Sequence, residues 1–247
     1  MNFTDKIVLV TGSSRGIGKQ IAEMFAKLGA YVIINSYNNI TQLVETYEDM
    51  KANNLQVSYY QADLSNYEQC VDLYDFILQT TGRYPDILIN NTGISYTNLF
   101  TDTTPDMWHK IIATNLNSAY YCSYLAVPHM IRQHSGCIIN ISSIWGNVGA
   151  SCEVAYSTTK SGLNGFTKAL AKELGPSNVR VNAIACGWID TDMNNMYATE
   201  ERADFIEGVP LMRTGSVTDV GNLCMFLASS DASYINGQIV TLDGGMT

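Results

Sequence analysis

The chain has 247 residues, 46% of them hydrophobic, and a formal net charge of -9. Its size allows one large α/β core, expected as a single domain over 1–247, and its acidity argues against nucleic acid or an anionic membrane as the main partner. No apolar run approaches a membrane span, no basic leader precedes the first strand, and the six cysteines and three histidines form neither CxxC nor HExxH, so a soluble cytoplasmic protein with neither disulfides nor a metal centre is expected.

From the N-terminus, KIVLV (6–10) is a β-branched run, TGSSRGIG (11–18) a glycine-rich turn, and KQIAEMFAKLGA (19–30) a helical pattern with a glycine stop. In this strand-loop-helix unit Gly12 permits the tight turn. Gly16 and Gly18 let backbone and helix approach a pyrophosphate whose charge meets the helix N-terminus, with Ser14 and Ile17 beside them. The spacing is GxxxGxG rather than GxGxxG, and an ordinary turn is the competing reading. The next strand (31–35) ends at Asn35, Ser36, Tyr37 and Asn38, where an NAD site places a carboxylate for the ribose. Nothing there repels a 2′-phosphate and Arg15 can pair with one, so NADP(H) is favoured over NAD(H).

A helix over 40–53 and a strand over 55–61 lead to Asp63 and Leu64. Asp63 stands either at the ligand-gathering edge of a sheet or as a helix cap. After a helix at 66–80 and a strand at 86–90, the NNTG turn puts Asn91, Thr92 and Gly93 on the cofactor side. A long helix over about 105–133 contains Asn115, whose position implies a kink or an internal hydrogen bond.

The strand CIINIS (137–142) is followed by SSIWGNVGASCEVAYSTTK (142–160). Tyr156 and Lys160 are i and i+4 on a helix, so phenol and ammonium share one face, and a nearby cation favours phenolate. Ser143 could hold the same substrate oxygen. A strand over 178–185 precedes an irregular, Met-rich stretch, expected to lie outside the core as a lid (about 187–210) over a cleft. A helix (216–229) and a strand (238–242) close the chain. Seven strands alternating with helices imply a doubly wound parallel sheet of Rossmann type, with ligands at the strands' carboxyl edge.

These motifs, in this order, resemble the short-chain dehydrogenase/reductase family over almost the whole chain. The resemblance implies NADP(H) chemistry on a carbonyl or alcohol, with Asn115, Ser143, Tyr156 and Lys160 as the catalytic tetrad. It also implies Asp63 at the adenine, Tyr156, Lys160, Gly187, Ile189 and Thr191 among the cofactor contacts, an Asn115-held water relaying protons to Lys160, and a homotetramer. Two departures stand out. Thr92 replaces an alanine, and Cys186 replaces a proline before Gly187, removing a φ restraint at the start of the lid.

Within the family, KSGLNGFTKALAKEL, VRVNAIACGWIDTDM and the final DGGM resemble bacterial 3-oxoacyl-[acyl-carrier-protein] reductases, which implies acyl carrier protein as partner. The stretch SSIWGNVGASCEVAYS resembles instead the elongation factor P 5-aminopentanone reductases, whose substrate carries a primary amine that Glu153 could pair with. Glu153 could equally complement the helix dipole. Trp145 and Trp188 line the cleft or pack in the core, and Arg132, Lys168 and Lys172 form a docking surface or a solvated face. A small-molecule ketone reductase and a non-catalytic NADP(H) sensor remain as further alternatives, the latter disfavoured by an intact tetrad.

Overall fold

A computed structural model describes residues 1–191 and 199–247, apart from the side chains of 199–201. The strands β1 (Ile7–Val10), β2 (Tyr31–Ser36), β3 (Val57–Gln61), β4 (Ile87–Asn90), β5 (Gly136–Ser143), β6 (Val179–Cys186) and β7 (Ile239–Leu242) form one sheet of order β3-β2-β1-β4-β5-β6-β7. Every pairing is parallel. Both faces of such a sheet must be covered, and alternation along each strand divides the apolar residues between them. Val8 and Val10 pack with Ile21, Phe25 and Val220 from the helices α1 (Gly16–Lys27) and, near the C-terminus, Val217–Ala228. Ile7 and Leu9 face Leu73 of the helix Tyr67–Thr81, Met130 of Ser118–Arg132 and Leu174 of Val154–Leu174. In chain order the remaining helices are Ile40–Ala52, Pro105–Ile112, Trp145–Val148 and Thr199–Glu207. The nine described helices are thus α1 (16–27), α2 (40–52), α3 (67–81), α4 (105–112), α5 (118–132), α6 (145–148), α7 (154–174), α8 (199–207) and α9 (217–228).

The strand order reverses between β1 and β4, so the loops leaving their carboxyl ends diverge and open a crevice. Register between β4 and β5 is marked by a buried polar contact. Asn90 lies opposite Asn140, and its Nδ2 donates to Asn140 Oδ1 at 2.8 Å, while Asn140 Nδ2 donates to Thr167 Oγ1 at 2.8 Å. At the other end of the strands Asp86 is 4% exposed. It accepts from the Ile7 amide at 2.8 Å, from Arg83 at 2.6 Å and from Gln133 at 3.3 Å.

Several elements differ from expectation. α1 begins at Gly16 rather than residue 19, because the glycines take part in its first turn. The long helix at 105–133 is interrupted by a π-turn at Ala113–Asn117, so Asn115 accompanies both a local distortion and internal hydrogen bonds. Asp63 does not cap α3: Asn66 does, accepting from Gln69 N at 3.0 Å, and Asp63 Oδ1 accepts from Ser65 N and Oγ. Cys186 is the last, buried residue of β6 rather than the start of a lid. Of the expected lid, residues 192–198 lie outside the described residues, but Ile189 and Val209 at its two ends are 4% and 1% exposed. Ile189 is held in the core, where a β-bridge pairs it with Gly215. Among the described residues no helix is long and apolar enough to cross a membrane, and the six cysteines are free.

Asp86→Ala removes the acceptor that joins β1, β4 and the end of α5. We expect a loss of about 2–3 kcal/mol and a melting temperature lower by roughly 5–10 °C, measured by thermal denaturation.

Candidate active site

The loops after β1 and β4 are fastened to each other. Asn91 Nδ2 donates to the carbonyls of Thr11 (3.0 Å) and Gly12 (2.8 Å), and Thr11 Oγ1 accepts from the amides of Asn91 and Thr92, both at 3.0 Å. Glycine is demanded at two positions. Gly12 has φ of +61°, and a Cβ on Gly18 would overlap the Gly12 carbonyl oxygen and stand 2.6 Å from Asn91 Nδ2. The result is a cavity of about 590 Å³ over the N-terminus of α1. Gly12, Ser14, Arg15, Gly16, Ile17 and Gly18 form its floor, Asn35, Ser36, Asp63 and Leu64 one end, and Asn91, Thr92, Gly93 and Thr191 the other.

These residues fit a dinucleotide. A glycine cradle meets a helix N-terminus whose first turn holds no acid, and the hydroxyl of Thr92 is buried at the wall with no hydrogen-bond partner among the described residues. Asn35 lines the cavity, but its amide donates to the carbonyls of Tyr60 (3.0 Å) and Ala62 (3.3 Å), so its side chain serves β3. Ser14 and Ser36 meet hydroxyl to hydroxyl at 3.3 Å.

A second cavity of about 310 Å³ continues from the first, sharing Ile17, Asn91, Gly93, Ile94 and Thr191 with it. Ser143, Tyr156 and Lys160 all line it, as do Trp145, Glu153, Gly187, Trp188 and Ile189. Ser143 ends β5, its Oγ accepting from the Trp145 amide at 3.2 Å. Lys160 is 4% exposed, donates to the Ile141 carbonyl at 2.8 Å and lies 5.6 Å from the centre of the Tyr156 ring. Burial pulls its pKa down to about 8, against which the Cys186 thiol acts weakly, while burial pushes that thiol up to about 12. Asn115 lines neither cavity. It clasps Ile94, accepting from its amide at 2.8 Å and donating to its carbonyl at 2.9 Å, and reaches Thr159 Oγ1 at 3.3 Å. Its carboxamide is thus committed to holding the β4 loop against α7.

Glu153 occupies the N-cap position of α7 without making a side-chain capping bond, and its half-buried carboxyl is raised above the usual range by desolvation. Trp145 and Trp188 are both partly exposed in the second cavity. Arg132, Lys168 and Lys172 are exposed and stand away from the site, Lys168 and Lys172 being about 18 and 24 Å along α7 from Tyr156 at roughly 1.5 Å per residue. The sequence reading missed Lys110, Ala113 and Thr114, which reach the first cavity from α4 and the π-turn, and Phe205, which reaches the second from α8. Only the misfit of Asn115 in a helix pointed toward the first group. Among the described residues no group of three or more His, Cys, Asp or Glu could hold a metal ion.

A nucleotide cradle joined to a Ser, Tyr and Lys pocket defines an oxidoreductase acting on the CH–OH/ketone pair. Comparison with known proteins agrees. The family model described as "Enoyl-(Acyl carrier protein) reductase" matches residues 12–247. A 3-oxoacyl-[acyl-carrier-protein] reductase FabG from Aquifex aeolicus is 39% identical, covering 98% of this chain and 97% of its own. Its namesake from Chlamydia pneumoniae is 38% identical over 100% and 99%. The crystal structure of a 3-oxoacyl-[acyl-carrier protein] reductase from Brucella melitensis superposes with a TM-score of 0.93 at 32% identity, covering 99% of this chain and 92% of that one. A chain provisionally assigned as a gluconate dehydrogenase, from Agrobacterium tumefaciens, gives 0.95 at 30% identity, covering 99% and 97%. The chain belongs to the short-chain dehydrogenase/reductase family.

Lys160 has a consequence for stability. Below about pH 8 both the folded and unfolded chains carry its proton, and folding must bury a charge. Between pH 8 and the ordinary lysine value the unfolded chain binds the extra proton, so stability from this group rises with pH. Lys160→Met should therefore be more stable than wild type at pH 7, by on the order of 2 kcal/mol, with the difference shrinking between pH 8 and 10. Urea denaturation at a series of pH values measures it.

Proposed function

We propose that the protein is an NADPH-dependent carbonyl reductase that converts a 3-oxoacyl thioester on acyl carrier protein into the 3-hydroxyacyl thioester. The observation that carries this reading is the meeting of Ser143, Tyr156 and Lys160 on one cavity that runs into the glycine cradle. The full-length likeness to reductases of that name supports the substrate class. Arg15 at the first cavity, with Ser14, Ser36 and no carboxylate between Asn35 and Asn39, supports the phosphorylated cofactor.

When bound, NADPH supplies the hydride that reaches the carbonyl carbon. Ser143 donates a hydrogen bond to the carbonyl oxygen, and Tyr156 gives that oxygen its proton. The buried charge of Lys160 stabilises the phenolate left behind and holds the nicotinamide ribose. Asn115 seats the water that returns a proton toward Lys160. The partly exposed Trp145 and Trp188 flank the substrate. The assembly is a homotetramer, for which exposed Tyr120 and Tyr124 on α5 supply an aromatic contact face.

Glu153 favours a second reading. A half-buried carboxylate on the wall of the reacting cavity, uncommitted to capping its helix, suits an ammonium better than an acyl chain. In that reading the substrate is the 5-aminopentanone carried on a lysine of elongation factor P.

Turnover of NADPH with acetoacetyl thioester, on carrier protein and on coenzyme A, beside aminopentanone-bearing elongation factor P separates the two readings. We expect the thioester to be preferred and Glu153→Gln to leave that preference in place. Preference for the modified factor, lost in Glu153→Gln, would overturn the acyl reading. Tyr156→Phe should retain NADPH binding in a fluorescence titration while kcat falls by about 10²–10⁴-fold. Arg15→Ala should raise KM for NADPH about tenfold or more and leave KM for NADH little changed.

A further inference from the structure

A third cavity, of about 490 Å³, lies behind the second, and among the described residues the two share only Trp188 and Phe205. The rings of that pair are 4.7 Å apart between centroids. Trp188 is the fixed member. Gly187 N donates to Leu242 O at 2.9 Å, Trp188 O accepts from Gly215 N at 2.9 Å, and Asp190 N donates to Gly215 O at 2.8 Å, which holds its backbone on both sides. Phe205 is carried on α8.

The charged groups around the third cavity are already satisfied. Arg213 pairs with Asp219 at 2.8 Å, and the Asp243 carboxylate accepts from the amides of Gly245 (2.9 Å) and Thr247 (2.8 Å). What is left facing the space is largely apolar, from Val209, Leu211, Leu242 and the two rings. An apolar ligand without charge is the chemistry such a wall accepts. The second cavity must itself take the reacting carbonyl and one end of the cofactor, so little of its volume is free for a chain.

We propose that the Trp188–Phe205 pair sets the chain length at which a straight-chain acyl group stops gaining affinity, by shutting the second cavity off from a third that becomes a subsite for the distal part of the chain once the pair is opened. This rests on the acyl-thioester reading given above. In the wild-type protein the pair closes the second cavity against medium and long chains, and loss of the Phe205 ring joins the two spaces.

The test is calorimetric binding of saturated acyl N-acetylcysteamine thioesters of four, eight and twelve carbons to the NADP-loaded protein, so that the readout needs no reduction. Each further methylene buried is worth about a threefold to fourfold gain. Phe205→Ala should raise the ratio of twelve-carbon to four-carbon affinity at least about tenfold over wild type, and Leu211→Trp, which refills the space from its exposed rim, should reverse that gain. Phe205→Leu, the milder change, should give an intermediate ratio and serves if the alanine variant does not fold. An unchanged ratio in the Phe205 variants overturns the subsite. The matching 3-oxoacyl series is then assayed for NADPH oxidation. If affinity follows Phe205 but no 3-oxoacyl thioester is reduced, the subsite stands and the proposed reaction fails; if reduction occurs with one length profile in all variants, the subsite alone fails.

Discussion

A buried ammonium is the constraint on which the site depends. Lys160 sits nearly sealed from water, where a charge is costly, and the surroundings must supply what water would have given. The Ile141 carbonyl accepts from it, the Tyr156 ring lies within reach, and α6 presses so close that a Cβ on Gly146 would stand 2.9 Å from that of Lys160. Gly93 and Asn115 crowd the same corner: a Cβ on Gly93 would meet Lys160 Nζ at 3.6 Å and Asn115 Oδ1 at 3.5 Å. Stability is given up there so that a positive charge, readily lost, stands beside a phenol.

The rest of the fold delivers loops to that corner. Parallel strands put every βα turn on one edge, and the reversal of strand order at β1 and β4 leaves room between two of them. Asn91 fastens the loop after β4 to the loop after β1, and Asn115 fastens it to α7 through Thr159. A few polar side chains, Thr11 and Asn91 at one junction and Asn115 at the other, do the joining, so the cofactor cavity and the reacting cavity share a single wall.

Much of this was legible in the chain because it rests on local rules. The seven strands, the glycine loop, the Tyr156–Lys160 spacing and the polar strand ends follow from short-range pattern and periodicity, and the residues singled out from them do line the two cavities, Asn115 excepted. What was not legible depends on partners distant in sequence. Asn35 stands at the anticipated position, yet its amide turns to Tyr60 and Ala62. Asp63 offered two local readings, and Asn66, three residues on, took the capping role. Ile189 and Val209 sit in a polar, irregular stretch whose composition hides that both are core. Lys110 and Phe205 reach the cavities only through the arrangement of whole helices.

The Asn90–Asn140 contact has a bearing on how the sheet is assembled at all. Runs such as IVLV, ILIN and CIINIS are nearly interchangeable as apolar strands, and sliding one past its neighbour by two residues would keep every side chain on its proper face. Such a slip would set Asn90 against Ile138 or Ser142 and break the carboxamide pair inside a water-free layer. The pair works as a key cut for one alignment. It brings the NNTG turn and Ser143 to matching heights, so that a catalytic geometry built at the rim is indexed by a polar contact buried beneath it.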